Sequence, residues 1–343
     1  MPRKTSQQRV RIEDVAKAAG VSMKTVSRVL NNETSVRDAT RERVLAVAAD
    51  MHYTPDRFAR SLAGNRSYLI GLLYDNPSAN YLISVQTGVV NACRRHHYEM
   101  VVHPVDFDES ASVAEIEALI DGSKLDGLIL TPPLSDCEAL LDRLDALRVP
   151  YACVSPRRQS GCIGVRLDEQ NAASELMNHL IALGHTRIGH IKGDPDQGAT
   201  TWRLEGYRAA LQRAGIAYDP DLVVDGMFSF ESGLAGAETL LSLPRPPTAI
   251  FAANDDMAAA AIRIAHERGL SIPGDLSVCG FDNSPASQQI FPALTTIHQP
   301  TLDMGRVAAE QLLLRVRDAS AGELVRMPYS LVLRHSTGPA PQH

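Results

Sequence analysis

From Tyr68 onward the chain alternates short apolar runs with stretches of helical periodicity, and that alternation limits the fold more than any other feature. Tyr68 to Tyr74, Tyr98 to Val105, Leu125 to Leu130, Val149 to Val154, Ile163 to Leu167, Arg187 to Ile191, Thr248 to Ala253 and Leu276 to Phe281 read as buried strands, with helices between most of them. Such an order means parallel sheets covered on both faces, with ligands at the carboxyl ends of the strands. The chain beyond Tyr68 is too long for one sheet of this kind. A second series of strand and helix starts near Leu167, so two lobes facing each other across a cleft are expected.

Composition narrows the function classes. Hydrophobic residues make up 44% and charged residues 22% of the 343 positions, which provides for a core and excludes a disordered or collagen-like chain. No run approaches the roughly 18 apolar residues of a membrane helix, and Met257 to Ala265 is broken by Arg263. Met1 to Ser6 lacks the apolar stretch of a signal peptide, so a cytoplasmic location is expected. Cys93, Cys137, Cys153, Cys162 and Cys279 form an odd set without CxxC spacing and read as buried small hydrophobes. Gly193 to Ala199 has the first spacing of a phosphate-binding loop but alanine where lysine must stand. There is no GxSxG, no HExxH and no GxGxxG opening a helix, and the histidines, His96-His97 included, lack ligand spacing. No catalysis, cofactor or metal is therefore expected.

Ahead of the alternation the charge changes sign. Residues 1–67 carry 13 Lys and Arg against 7 Asp and Glu, a net of +6, and the remainder is −12. A basic module beside an acidic body suggests a polyanionic partner, nucleic acid first, with a merely solvated basic surface as the plain alternative. Within this head, Ile12, Val15, Ala16 and Ala19 have the one-face spacing of an amphipathic helix, which Gly20 ends. Ser22 caps a second helix with Val26, Val29 and Leu30 on one side and Met23, Lys24, Ser27, Arg28 and Asn31 on the other. Val44, Val47, Ala48 and Met51 mark a third helix from near Asp38. A helix of the second kind fits the major groove, Arg28 can bond two acceptors of a guanine, and Ser22, Thr25, Ser27, Asn31 and Thr40 have the reach for phosphate oxygens. Pro55 stops the third helix, and Asp56 caps a short segment, Arg57 to Ala63, closed by Gly64. Two turns do not hold alone in water, so this segment is expected to fold only against a partner.

Asp14-Val15-Ala16, Ala19-Gly20-Val21-Ser22, Thr25 to Asn31, Thr40 to Val44, Tyr53-Thr54-Pro55 and Ala59 to Ala63 together resemble the head of the lac repressor family of bacterial transcription regulators. The resemblance implies that Met23, Lys24 and Arg28 read bases. It also implies that Ala59 and Leu62 belong to a hinge helix whose leucine wedges into the minor groove and bends the duplex. Asp56 departs from the family pattern, since a carboxylate caps a helix but repels phosphates. The body is similar to the effector domain of the same family, itself like periplasmic sugar-binding proteins. The likeness runs through Leu183 to Gly189, Arg203 to Tyr207, Ala253 to Ala258, Val278 to Asp282 and Leu294 to Ile297. It carries the effector site onto Asp75, Asn76, Ser155, Arg203, Phe228, Asn254, Asp282 and Gln299.

The chemistry of that set is coherent. Asp282 and Asn254 offer paired hydrogen bonds to neighbouring hydroxyls, Arg203 is a fixed donor fork and Phe228 a flat wall, which suits a polyol better than a planar base. Each also has a structural reading: Asp282 as the cap of the next helix, Arg203 in a surface ion pair, Phe228 in the core. Trp202, beside Arg203, is either a sugar platform or packing. The expected fold is α/β, with a three-helix helix-turn-helix head (1–55), a hinge helix and linker (56–67), and an effector and dimerisation domain (68–343). That domain comprises two doubly wound parallel-sheet lobes of periplasmic-binding-protein type, 68–166 with 299–327 and 167–298 with 328–340. The expected function is a repressor of carbohydrate-use genes, released from a palindromic DNA operator by a sugar. A homodimer is expected, because no leucine heptads follow Leu331 to Leu333. The alternatives are a regulator of the same family responding to a purine or other metabolite and, from a different class, a sugar-binding or sugar-modifying protein. The last leaves Ser22 to Asn31 and Leu62 without a role.

Overall fold

The computed structural model describes residues 10–30, 35–53 and 66–341, the side chains of 109–111 excepted. Asn31, Ala59, Leu62 and the expected hinge helix lie outside the described residues. The chain divides into two compact units at Tyr68 and Leu69.

The head consists of α1 (Ile12–Ala19), α2 (Met23–Leu30) and α3 (Asp38–Asp50). The apolar positions of the three periodic stretches meet in one core of Val15, Ala16, Ala19, Val26, Val29, Val44 and Ala48. Gly20 ends α1 with φ 66°, the left-handed conformation that a residue without Cβ adopts at no cost. Ser22 Oγ accepts the Thr25 N–H at 3.1 Å and so caps α2.

The body alternates as its sequence demands: β1 (Leu69–Tyr74), α4 (Ala79–Arg95), β2 (Glu99–Pro104), α5 (Glu109–Ser123), β3 (Gly127–Leu130), α6 (Glu138–Leu147), β4 (Tyr151–Val154) and β5 (Gly164–Arg166) make the first lobe. The second follows with α7 (Glu169–Ala182), β6 (Ile188–Ile191), α8 (Gly198–Arg213), β7 (Val223–Val224), α9 (Phe230–Leu241), β8 (Ala249–Ala252), α10 (Asp255–Glu267), β9 (Ser277–Asp282), α11 (Ala286–Gln289) and β10 (Thr295–His298). The chain then returns to the first lobe with α12 (Thr301–Arg317) and β11 (Leu324–Arg326), and crosses back with β12 (Ser330–Val332). The two sheets run β11-β5-β4-β3-β1-β2 and β12-β10-β9-β8-β6-β7, parallel except for the β10–β12 pair. β3, β4, β6 and β8 are buried at every position, the reason their sequences are apolar runs, interrupted only in β6 by His190, whose Nδ1 bonds the Phe251 carbonyl. In the first lobe α4 and α12 touch backbone to backbone: a Cβ on Gly88 would lie 1.9 Å from the Leu302 carbonyl oxygen, and one on Gly305 2.2 Å from that of Val85. Among the described residues no helix is long and apolar enough to cross a membrane. All five cysteines are buried free thiols, in line with their reading as small hydrophobes.

Candidate functional site

On the head, burial of Val26 and Val29 turns Ser22, Met23 and Lys24 outward, with Thr25, Ser27 and Arg28 half-buried beside them. Thr40 stands in the first turn of α3, also half-exposed. The described cation and hydroxyl groups singled out in the sequence thus lie at exposed or half-exposed positions along α2 and in the first turn of α3.

In the body, a narrow cavity of about 30 Å³ lies between the lobes. Its walls come from the carboxyl ends of strands, as expected for doubly wound sheets: Asn76 after β1, Pro132 after β3, Ser155 after β4, Asn254 after β8, Asp282 at the end of β9 and Gln299 after β10. Arg203 on α8 and Phe228 before α9 complete the predicted lining.

Several of these side chains already have partners. Arg203, 4% exposed, donates Nε to Glu169 Oε2 at 2.8 Å and Nη1 to the Ala253 carbonyl. Its guanidinium lies 3.6 Å from the centre of the Phe281 ring and 5.6 Å from that of Phe228. The expected alternative of a surface ion pair becomes a buried one. Asn254 Oδ1 accepts the Met257 N–H at 2.9 Å and caps α10, while Nδ2 donates to the Phe228 carbonyl at 2.8 Å. Much of the bonding capacity assigned to a ligand therefore holds the site itself together. Phe228, with φ 55°, is at once core and cavity wall, its ring tip 2.0 Å from where a Cβ on Gly193 would stand. Asp282 does not cap α11, whose first residue follows Pro285. Burial first, then the neighbouring Asp255, Asp256 and Glu169, push its carboxyl well above the carboxylate range, against the pull of Arg203. Gln299, 3% exposed, keeps a buried Oε1 without a hydrogen-bond donor among the described residues. An acceptor of this kind calls for a hydrogen-bond donor from water or a bound molecule.

Two predicted residues stand elsewhere. Asp75 Oδ2 accepts the Phe107 N–H at 3.0 Å and does not line the cavity, because side chains after a strand alternate in direction and Asn76 points in. Trp202 is one residue from Arg203 on α8, about 100° around the helix, and lines a neighbouring cavity with Arg166, Asp168 and Arg326. The cavity also contains Ser78, Tyr81, Glu169, Gln197 and Ala199, none read from the sequence. Tyr81 is a second aromatic wall, its phenol held neutral by burial and by Asp282 and Glu169. Behind the lining, Asp255 accepts Thr296 Oγ1 at 2.6 Å and the Ser284 N–H at 2.7 Å, and burial lifts its carboxyl to about 7. Among the described residues no group of three or more His, Cys, Asp or Glu is placed to hold a metal ion.

Residues 11–56 match the family described as bacterial regulatory proteins, lacI family, and residues 177–337 a periplasmic binding protein-like domain. The HTH-type transcriptional regulator DegA of Bacillus subtilis is 35% identical over 335 residues, 96% of this chain and 98% of that one. Among solved structures, a transcriptional regulator CelR-cellobiose complex is similar at 30% identity and a TM-score of 0.72 over 96% of this chain and all of that one. A lac repressor dimer bound to operator and the anti-inducer ONPF is similar at 30% identity and a TM-score of 0.76, with the same coverage.

Proposed function

The chain belongs to the lacI family of bacterial regulatory proteins, and from that premise we propose a homodimeric cytoplasmic repressor of carbohydrate-use genes that a sugar releases from a palindromic operator. The observation that carries the sugar is the polar interlobe cavity. Gln299 Oε1 accepts, the Asp282 carboxyl can both donate and accept, Arg203 and Asn76 add directed polar groups, and Phe228 offers one flat apolar wall. Hydroxyls on a ring satisfy such a set from several sides at once, and a flat apolar molecule does not. The cellobiose complex of the similar regulator is in keeping with this choice. Met23, Lys24 and Arg28 are assigned to base edges, and Ser22, Thr25, Ser27, Asn31 and Thr40 to phosphates. Ala59 and Leu62 are assigned to the minor-groove hinge. A palindrome follows from twofold symmetry, and the similar lac repressor dimer on its operator supports it. Because coupling is reciprocal, a sugar that weakens operator binding must itself bind less tightly to the DNA-bound form.

Tyr81 favours a second reading. With Phe228 it gives the cavity two aromatic rings, and a purine or nucleoside would stack there. Calorimetry of the whole protein against pentoses, hexoses, disaccharides, purine bases and nucleosides separates the two, with footprinting of a selected palindrome in parallel. Sugar binding that lifts the footprint is the expected result; binding of purines alone would replace the carbohydrate reading by the second.

A further inference from the structure

Four helices of the second lobe present their N-termini near the cleft or the crossovers, and three are capped from within the lobe. Asp168 caps α7, Ser229 caps α9 and Asn254 caps α10, each by a side-chain oxygen. In α8 the N-cap residue Gln197 makes no capping hydrogen bond. Its first N–H, on Gly198, goes instead to Asp136 Oδ2 at 2.7 Å, and Asp136 belongs to the first lobe, in the turn Leu134–Asp136 after β3. The other oxygen of the same carboxylate accepts the Arg157 N–H at 2.7 Å within its own lobe. Arg157 reinforces the crossing by donating Nη2 to the Pro195 carbonyl at 3.0 Å, and its Cγ lies 2.8 Å from where a Cβ on Gly198 would stand. A separate crossing is made by Ser78 Oγ, which donates to Asp256 Oδ2 at 2.6 Å.

We propose that Asp136 is a positioning residue that latches the two lobes: its carboxyl group, through an oxygen that accepts in either protonation state, supplies the missing cap of α8 only while the cleft is closed. Opening the cleft uncaps the helix that carries Arg203, so closure and the posture of an effector residue are tied through one helix terminus. The inference rests on the body being a cleft that closes on an effector, but its test needs none.

The charged and titratable groups around Asp136 are Arg157 beside it, Glu138 on α6, Tyr81 on α4 and Cys153 on β4. Burial outweighs the two N–H donors and Arg157 and lifts the carboxyl to about 6. In an open cleft water returns it toward its ordinary range. Closing therefore takes up a proton, and closure strengthens as pH falls through 6 and weakens as pH rises through it.

Amide hydrogen exchange of the full chain, followed by mass spectrometry, tests this in wild type, Asp136→Ala, Asp136→Asn and Ser78→Ala. Asp136→Ala is expected to speed exchange at Gly198 to Thr201 by about tenfold or more while β6 and β8 keep their protection. Ser78→Ala, which removes the other crossing but keeps the capping group, is expected to speed exchange at Gly198 by much less than Asp136→Ala does. Relative to Asp136→Asn, the wild-type protection of Gly198 is expected to rise by about tenfold from pH 7.5 to pH 5.0, the ratio that a group moving from about 4 to about 6 on closure gives. Unchanged exchange at Gly198 in Asp136→Ala overturns the latch, as does faster exchange throughout the body, which would make Asp136 a folding residue. The same pH response in wild type and Asp136→Asn assigns the proton elsewhere and overturns the coupling to closure.

Discussion

Arg203 and Glu169 form an ion pair that is 4% and 1% exposed, 2.8 Å from nitrogen to oxygen, in the wall of the interlobe cavity. Glu169 opens α7 and Arg203 lies in the second turn of α8, so the pair also ties two packed helices of the second lobe. A buried pair is worth little against a well-packed apolar replacement, but breaking it strands a charge. Glu169→Leu or Arg203→Leu alone is expected to destabilise the protein by roughly 3 to 5 kcal/mol, and the double replacement by much less than the sum. Urea unfolding of the four proteins reads the cycle. Losses that simply add would mean that the two charges do not compensate each other.

The contact of α4 with α12 makes a second prediction. Both Gly88 and Gly305 face backbone carbonyls at distances no methyl group tolerates, and helix backbones cannot give way as a side-chain end does. Gly88→Ala and Gly305→Ala are each expected to cost at least about 1 to 3 kcal/mol. Gly122, in α5 with nothing within 4 Å of an added Cβ, is the control. There alanine is expected to stabilise by up to about 1 kcal/mol through helix propensity alone. Thermal unfolding compares the three, and equal effects would show that propensity, not the crossing, decides.

The strands with two covered faces were legible because burial on both sides leaves mostly apolar residues, with His190 and Ser277 as buried polar exceptions. β7, with two residues, and the late strands β11 and β12 were not, since edge positions accept Ser and Arg, and β10 was not because its buried Thr295 and Thr296 are polar residues satisfied by hydrogen bonds to Thr337 and Asp255. The motif residues Arg203, Asn254, Asp282 and Gln299 all reach the cavity. What sequence position could not tell is direction within a neighbouring pair: Asn76 rather than Asp75 and Arg203 rather than Trp202 point inward. Tyr81, Glu169 and Gln197 are brought there by packing between elements far apart in sequence. Glu169 carried one faint signal, a carboxylate directly after a capping Asp168, yet its partner on α8 follows from the tertiary fold alone.

For the head, the prediction concerns salt. Groups on the exposed side of α2 and the start of α3 should make several phosphate contacts per subunit, and each contact releases counterions. Operator affinity is expected to fall by about 10³ or more between roughly 50 and 200 mM salt. Arg28→Ala should cost roughly 1 to 3 kcal/mol and relax base preference at one position in each half-site. Gel-shift titrations over a salt series and a set of single-base operator variants measure both. A flat salt response would be incompatible with DNA binding by this face, and a uniform loss across sequences would make Arg28 a phosphate contact.

Asp255 sets the last prediction, on pH. Its carboxyl is 1% exposed and lifted to about 7 by burial, in spite of the Thr296 hydroxyl and the Ser284 N–H that favour the charged form. In the unfolded chain it ionises near the ordinary aspartate value. The folded state thus holds a proton that the unfolded state has already released, and the associated stability is complete below about pH 4 and lost as pH rises through 7. Asp255→Asn keeps its one acceptor oxygen for the Ser284 N–H, turns its amide group to the Thr296 hydroxyl, which can accept, and cannot titrate. Between pH 5 and pH 8 the wild type is therefore expected to lose stability relative to Asp255→Asn, by an amount on the order of 2 kcal/mol. The comparison with the variant matters, because Asp136 is raised as well and contributes the same background to both proteins. Urea midpoints at several pH values supply the difference directly. Parallel curves for the two proteins would place the titrating proton on another residue, and a wild type that gains on the variant as pH rises would reverse the sign of the shift.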